Sequence, residues 1–212
     1  MDDRERKDRE RFARRLEAFS DIVFGFALAQ SAVALEIPKT LAELSAKSAD
    51  LGIFAITFAL IGIFWFMHYR VFHYAFAGRA PDVIMNFVLL GVVALLPSAL
   101  RLYLKFPDSV AGSAAYAAEL GACFVLLAVL EWRGLREHAR SLAPKPLRMM
   151  QRATVRHAVA GILFLSSLPL FVTIGLDARY FWGAIFPAML LVRLFDKPKA
   201  PAAGTPAPAA ES

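Results

Sequence analysis

Long apolar stretches alternate with short polar ones along this chain. About 20 mostly apolar residues in an α-helix cross the roughly 30 Å hydrocarbon core of a membrane. The pattern predicts six membrane-spanning helices: Phe19–Ile37, Leu51–His68, Val83–Leu100, Ser109–Leu130, Ala158–Leu176 and Tyr180–Val192. The sixth segment is short, and it crosses only if the flanking Arg179 and Arg193 extend their side chains to the membrane surface.

The two ends of the chain differ in composition from the middle. Residues 1–18 are densely charged and predict a cytoplasmic, helical extension that leads into the first span. Residues 196–212 are rich in Pro and Ala and predict a disordered cytoplasmic tail. The first apolar segment is too long for a cleavable signal peptide, and five more follow it. We therefore expect one six-helix membrane domain over residues 19–195.

Composition agrees with a membrane protein. Of the 212 residues, 58% are hydrophobic and only 20% are charged, whereas soluble domains have about 45–50% apolar and about 25% charged residues. Cys123 is the one cysteine in the sequence, which excludes a disulfide within the chain and a cysteine-based zinc site.

Basic residues are distributed unequally between the two predicted sides of the membrane. The N-terminus, the second and fourth loops and the C-terminus together carry 19 Lys and Arg residues, and the other three loops carry 5. This bias predicts that both termini are cytoplasmic, and we expect a multi-pass protein of the cell inner (plasma) membrane. Topology and anionic lipid at the inner face account for the net charge of +6, so we expect no nucleic-acid partner.

Three ordered motifs carry a family resemblance. Arg15 is followed by Phe19-Ser20-Asp21, the second predicted helix ends in Phe64-Trp-Phe-Met-His68-Tyr-Arg-Val-Phe72, and the third contains Asn86-Phe-Val-Leu-Leu and then Ala94-Leu-Leu-Pro97. A fourth helix adds Tyr116-Ala-Ala-Glu-Leu120. Together these stretches, within residues 11–130, resemble the endolysosomal potassium channel family (transmembrane protein 175) and its prokaryotic relatives.

The resemblance implies an all-α homotetramer with six helices per subunit and the first helix lining a central pore. It also implies a potassium-permeable channel that is gated by rings of apolar side chains. The chain has no Thr-Val-Gly-Tyr-Gly filter sequence, so carbonyl-ring selectivity of that kind is not expected. We expect no cofactor beyond a permeant monovalent cation. The expected partners are further copies of the chain and membrane lipid.

In this family a stripe of residues along the first helix lines the pore. The resemblance implies that this stripe corresponds to four residues here: Ile22, Phe26, Gln30 and Val33. Their spacing places them on one helical face. The family usually has Ile or Leu where this chain has Phe26 and Gln30. Four Phe26 rings would make a bulky constriction, and four Gln30 amides would make a polar collar. The alternatives are ordinary packing for Phe26 and a hydrogen bond between helices for Gln30.

Polar residues gather at the predicted cytoplasmic ends of the first three helices: Arg15, Ser20, Asp21, His68 and Asn86. A carboxylate at the membrane edge is costly unless it is paired, and His, Asn and Arg are its natural partners. Together with Phe19, these residues predict a network between helices. The alternative is simple capping of a helix N-terminus by Ser20 and Asp21.

Glu119 lies near the middle of the fourth predicted span. A carboxyl group there is protonated, paired or facing water, so a proton-coupled transporter or proton leak is the alternative function. A purely structural role for Glu119 also remains open. The spacing of the histidines predicts no metal site, and the sequence shows no catalytic constellation, so we do not expect an enzyme.

Overall fold

The computed structural model describes residues 3–36, 38–40, 43 and 47–195, and the regular structure within them is helical. Five helices are long, and they are followed by a more irregular helical end. In chain order the elements are α1 (Asp3–Val33), α2 (Ser48–Tyr74), α3 (Ala80–Lys105), α4 (Val110–His138), α5 (Pro144–Ser166), α6 (Leu168–Ile174), a 3₁₀ segment (Gly175–Ala184) and α7 (Ile185–Phe195). The expected tail, residues 196–212, lies outside the described residues.

The helices extend beyond the apolar stretches that predict them. α1 begins at Asp3 and includes the charged extension, and it ends at Val33 rather than at residue 37. The long basic loop expected between the fourth and fifth spans is instead mostly helical, because α4 continues to His138 and α5 begins at Pro144. Hydropathy detects only the apolar part of a helix, and Lys and Arg at helix ends are readily solvated at the membrane surface.

Within the described residues, five helical stretches are long and apolar enough to cross a membrane: Lys7–Val33, Ser48–Tyr74, Ala80–Lys105, Val110–His138 and Pro144–Arg193. The last is 50 residues long and contains both the fifth and the sixth expected segments. It is interrupted at Gly175, whose φ of 60° lies in the left-handed region that favours glycine. α7 alone has 11 residues, about 16 Å of α-helix.

Contacts at the helix ends arrange the long helices in alternating directions. At one end, which we call the basic end, Asp82 near the start of α3 pairs with Arg133 near the end of α4, at 2.5 Å. At the opposite end, Lys105 of α3 pairs with Asp50 at the start of α2, at 2.9 Å. Consecutive long helices therefore run antiparallel, as a chain that crosses a membrane repeatedly must.

The most extensive helix pair is α4 with α5. Their backbones approach closely where Gly121 faces Gly161, and a methyl group on either glycine would overlap Leu165 or Val125. α1 packs on one side only, against α2 and α3. Its Phe24 and Ala27 join the hydrophobic core, which includes Ile61, Phe64 and Leu89. α1 thus has a face that the other described residues leave uncovered.

Candidate pore helix and its polar support

A buried chain of hydrogen bonds joins α1, α2 and α3 towards the basic end. Nδ2 of Asn86 donates to Oγ of Ser20 at 3.2 Å, and Oδ1 of Asn86 lies 2.7 Å from Nε2 of His68. The Ser20 hydroxyl in turn donates to the carbonyl of Leu16, at 2.8 Å. All three polar side chains are almost completely buried. Because each has a partner, the network satisfies groups whose burial would otherwise be costly.

Aromatic rings hold the imidazole of this network in place. The ring centroid of Phe24 lies 5.3 Å from that of His68, and the ring centroid of Phe72 lies 4.8 Å from it. Phe24 comes from α1 and Phe72 from α2, one turn beyond His68. His68 therefore combines a directed hydrogen bond to Asn86 with ring packing against α1.

The other motif residues on α1 lie outside this buried chain. Asp21 is exposed, and its Oδ1 accepts a hydrogen bond from the indole N–H of Trp65, at 2.8 Å. Phe19 packs against Phe87 of α3 with ring centroids 5.6 Å apart. Arg15 is exposed. The sequence suggested His, Asn or Arg as partners for Asp21, whereas in the structure the hydrogen-bond partner is Trp65.

The four expected pore residues lie on the uncovered face of α1. Phe26 is 71% exposed and Val33 is 85% exposed, and Ile22 and Gln30 are also exposed. The opposite face of α1 carries the buried Ser20, Phe24 and Ala27. A hydrophobic stripe that includes one amide therefore points away from the subunit over most of the apolar length of the helix.

Glu119 is partly buried in α4. Its Oε1 is inaccessible to solvent and has no hydrogen-bond partner among the described residues. An unpaired carboxyl oxygen is costly to bury as an anion, and this site lies well inside the apolar part of a candidate membrane span.

Two buried polar contacts near the basic end were missed by sequence reasoning. Glu131 of α4 is almost fully buried, and its Oε2 lies 3.0 Å from Nδ1 of His157 in α5. Asp82 is equally buried and meets Arg133. The sequence counted Arg133 as part of a loop, so these pairs were not considered. The sequence did contain a signal for these contacts. In each case an acidic residue lies at the end of one apolar stretch and a basic residue lies at the end of the next.

The opposite end carries a more exposed pair. Lys47 Nζ lies 2.8 Å from Oε2 of Glu36. This hydrogen bond and the charge of Lys47 hold the pKa of Glu36 below its ordinary value, and the same contact raises the pKa of Lys47. Within the described part of the chain, no group of three His, Cys, Asp or Glu residues could hold a metal ion.

Part of this arrangement matches a known protein family. The family described as endosomal/lysosomal potassium channel TMEM175 matches residues 15–97, which hold both the uncovered stripe of α1 and the Ser20–Asn86–His68 network. Residues 15–97 of this chain therefore resemble the TMEM175 family, and the match covers less than half of the 212 residues. The long apolar helices are those of a multi-pass membrane protein.

Two curated bacterial relatives carry the name potassium channel. The relative from Marivirga tractuosa is 32% identical over 98 residues, covering 46% of this chain and 40% of the relative. The relative from Streptomyces collinus is 32% identical over 89 residues, covering 39% of this chain and 43% of the relative. The matched stretch thus spans about two fifths of the length of these relatives.

Solved TMEM175 structures share the fold over most of the chain. A variant of the potassium channel MtTMEM175, solved with a nanobody–MBP fusion protein, has a TM-score of 0.67 at 20% identity, covering 85% of this chain and 92% of the other. A lysosomal potassium-selective channel TMEM175 homolog from Chamaesiphon minutus has a TM-score of 0.62 at 19% identity, covering 88% and 98%. The TMEM175 fold therefore extends beyond the stretch in which the sequences are alike.

Proposed function

We propose that this protein is a homotetrameric, potassium-permeable cation channel whose pore is lined by α1. The observation that carries the proposal is the uncovered stripe of Ile22, Phe26, Gln30 and Val33. Lipid would satisfy three of these side chains but not the amide of Gln30, because a polar group that faces hydrocarbon has no hydrogen-bond partner. A water-containing pore, formed where four copies of α1 meet, would accommodate all four residues.

Phe26 is the proposed constriction. It is the largest side chain of the stripe, and it projects from the middle of the apolar part of α1. A ring of apolar side chains can close a pore by excluding water, so no carbonyl filter is needed. On the side of α1 that faces the subunit, Ser20, Asn86 and His68 fix the rotation of the helix and so keep Phe26 directed at the axis.

Six crossings with both termini in the cytoplasm are the topology that we propose for each subunit. The long Pro144–Arg193 stretch supports two crossings because it is far longer than one crossing requires and is interrupted at Gly175. An even number of crossings leaves the 19 basic residues on the cytoplasmic side. The same charge bias supports a location in the plasma membrane.

Flux into liposomes tests this proposal. Purified protein is reconstituted, and uptake is compared under potassium, sodium and proton gradients of equal size. Passive uptake that favours potassium and needs no proton gradient is the expected result. Protein-dependent uptake that requires a proton gradient, or no uptake by well-folded protein, would reject the channel.

A proton-coupled transporter or proton leak is the second candidate, and the buried, unpartnered Oε1 of Glu119 favours it. In that case Glu119 binds and releases the transported proton, and Gln30 lies on the substrate path. The liposome assay separates the two functions, because only the second requires flux to follow the proton gradient.

A further inference from the structure

A cavity of about 570 Å³ lies between α2, α5 and α7, away from the uncovered stripe of α1. Most of its wall is apolar and includes Ile63 and Phe66 of α2 and Met189 of α7. Towards the basic end the wall is positively charged, because Arg70 of α2 and Arg156 of α5 also line the cavity. The cavity is therefore apolar along most of its length and basic at one end.

The two arginines lack anionic partners. Among the described residues, neither Arg70 nor Arg156 forms an ion pair. Nε of Arg70 is buried without a hydrogen bond, and its Nη2 reaches only the sulfur of Met150, at 4.0 Å. Nε of Arg156 bonds to the carbonyl of Arg152 in its own helix, at 3.3 Å. The nearby carboxylate of Glu131 is already bound by His157. Most N–H groups of these two guanidinium groups therefore have no hydrogen-bond acceptor among the described residues.

We propose that this cavity binds an anionic phospholipid of the cytoplasmic leaflet. The phosphate would lie between Arg70 and Arg156, since the planar guanidinium group suits phosphate oxygens. An acyl chain would follow Ile63, Phe66 and Met189 towards the membrane centre. The charge bias of the loops places Arg70 and Arg156 on the cytoplasmic side, where anionic headgroups bind basic pockets between helices. A soluble phosphate would leave the apolar part of the cavity unused.

The headgroup contact is tested by lipid titration with native mass spectrometry. Phosphatidylglycerol is titrated into the purified full chain, and phosphatidylcholine is the zwitterionic comparison. The double variant Arg70→Gln, Arg156→Gln should bind phosphatidylglycerol at least tenfold more weakly. Arg148→Gln is the matched control, because Arg148 is exposed on the same helix as Arg156 and does not line the cavity. Equal weakening by the control, or none by the double variant, would overturn the proposal.

The acyl-chain contact is tested independently with two glycines of α2. Gly62 lines the cavity, and a Cβ built on it meets no atom within 4 Å. Gly62→Leu should therefore place its side chain in the cavity and reduce binding of phosphatidylglycerol at least tenfold, and thermal unfolding in detergent confirms that the variant is folded. Gly52→Leu also extends into open space on the same helix but outside the cavity, and it should bind like wild type. Equal binding by both variants would overturn the acyl-chain assignment.

Two further experiments distinguish a bound phospholipid from other occupants of the cavity. Inorganic phosphate at matched concentration should not displace phosphatidylglycerol, and efficient displacement would indicate an ion site instead. Phe66→Cys should not form disulfides between copies in membranes, and efficient cross-linking would show that a second copy covers this cavity. Either result would overturn the phospholipid proposal.

Discussion

Nε2 of His68 lies 2.7 Å from Oδ1 of Asn86, so that α2 and α3 share one buried hydrogen bond. The amide nitrogen of the same asparagine donates to Ser20 on α1. Asn86 is therefore the one side chain that contacts both other polar members of this network. The rotation of α1, and with it the direction in which Phe26 projects, depends on this residue.

Asn86→Leu should destabilise the fold by about 1–3 kcal/mol, because it leaves the buried His68 without its hydrogen-bond partner. Thermal unfolding in detergent measures the change. His68→Phe provides the comparison, since it removes the other polar group at similar size.

The double variant Asn86→Leu, His68→Phe should be less destabilised than the sum of the single changes, because no unpaired imidazole remains. Simple additivity of the two effects would contradict the proposed coupling between these residues.

Phe26→Ala should increase potassium flux several-fold if the Phe26 rings narrow the pore. Single-channel recording in planar bilayers measures the effect directly as a larger conductance. Phe58→Ala is the matched control, because Phe58 is also exposed but lies on α2. Unchanged conductance in well-folded Phe26→Ala protein would remove Phe26 from the conduction path.

Glu119→Gln should leave passive potassium flux unchanged, because we place Glu119 on α4 rather than on the pore helix. The glutamine keeps the shape of the side chain but cannot exchange a proton. Flux is measured in liposomes at several pH values. Loss of both the flux and its pH dependence would instead support the proton-coupled function.

Gly134→Ala should destabilise the protein by about 1–3 kcal/mol. A methyl group on Gly134 would overlap the backbone carbonyl of Ala75, where α4 passes the end of α2. Gly91→Ala is the control, since a Cβ there meets no atom within 4 Å, and alanine is the better helix former. Chemical denaturation in detergent should show opposite changes for the two variants.

The exposed Glu36–Lys47 contact predicts a local pH dependence. The pKa of Glu36 is held below its ordinary value, so the contact is fully present above the ordinary pKa of a glutamate and is lost as the pH falls through the lowered pKa. Lys47→Gln should return the pKa of Glu36 to its ordinary range. Titration of the Glu36 carboxyl carbon by NMR measures this, and an unchanged pKa would show that Lys47 is not the cause.

The sequence predicted the helical segments well where apolar residues are continuous, because the thickness of the membrane sets the length of each apolar stretch. It placed the polar motif residues Ser20, His68 and Asn86 at one membrane face, and the structure joins them by hydrogen bonds. The helix boundaries were less accurate, since charged residues continue α4 and α5 beyond the apolar stretches.

Pairing between distant residues could not be derived from the sequence. The contact of Trp65 with Asp21 depends on the rotation of α2 against α1, which no local pattern specifies. The same holds for Glu131 and His157, which meet across the interface between α4 and α5. The extent of a helix along the chain can be predicted from one sequence. The rotation of that helix about its axis depends on the helices that pack against it.

The position of the Ser20–Asn86–His68 network in the chain has a consequence for biosynthesis. All three side chains lie within the first 86 residues, on the first three long helices. None of these hydrogen bonds needs a residue of α4 or α5, so they can form once the first three long helices are in the membrane. The first three helices can therefore fix the rotation of α1 before α4 packs against α2 and α3.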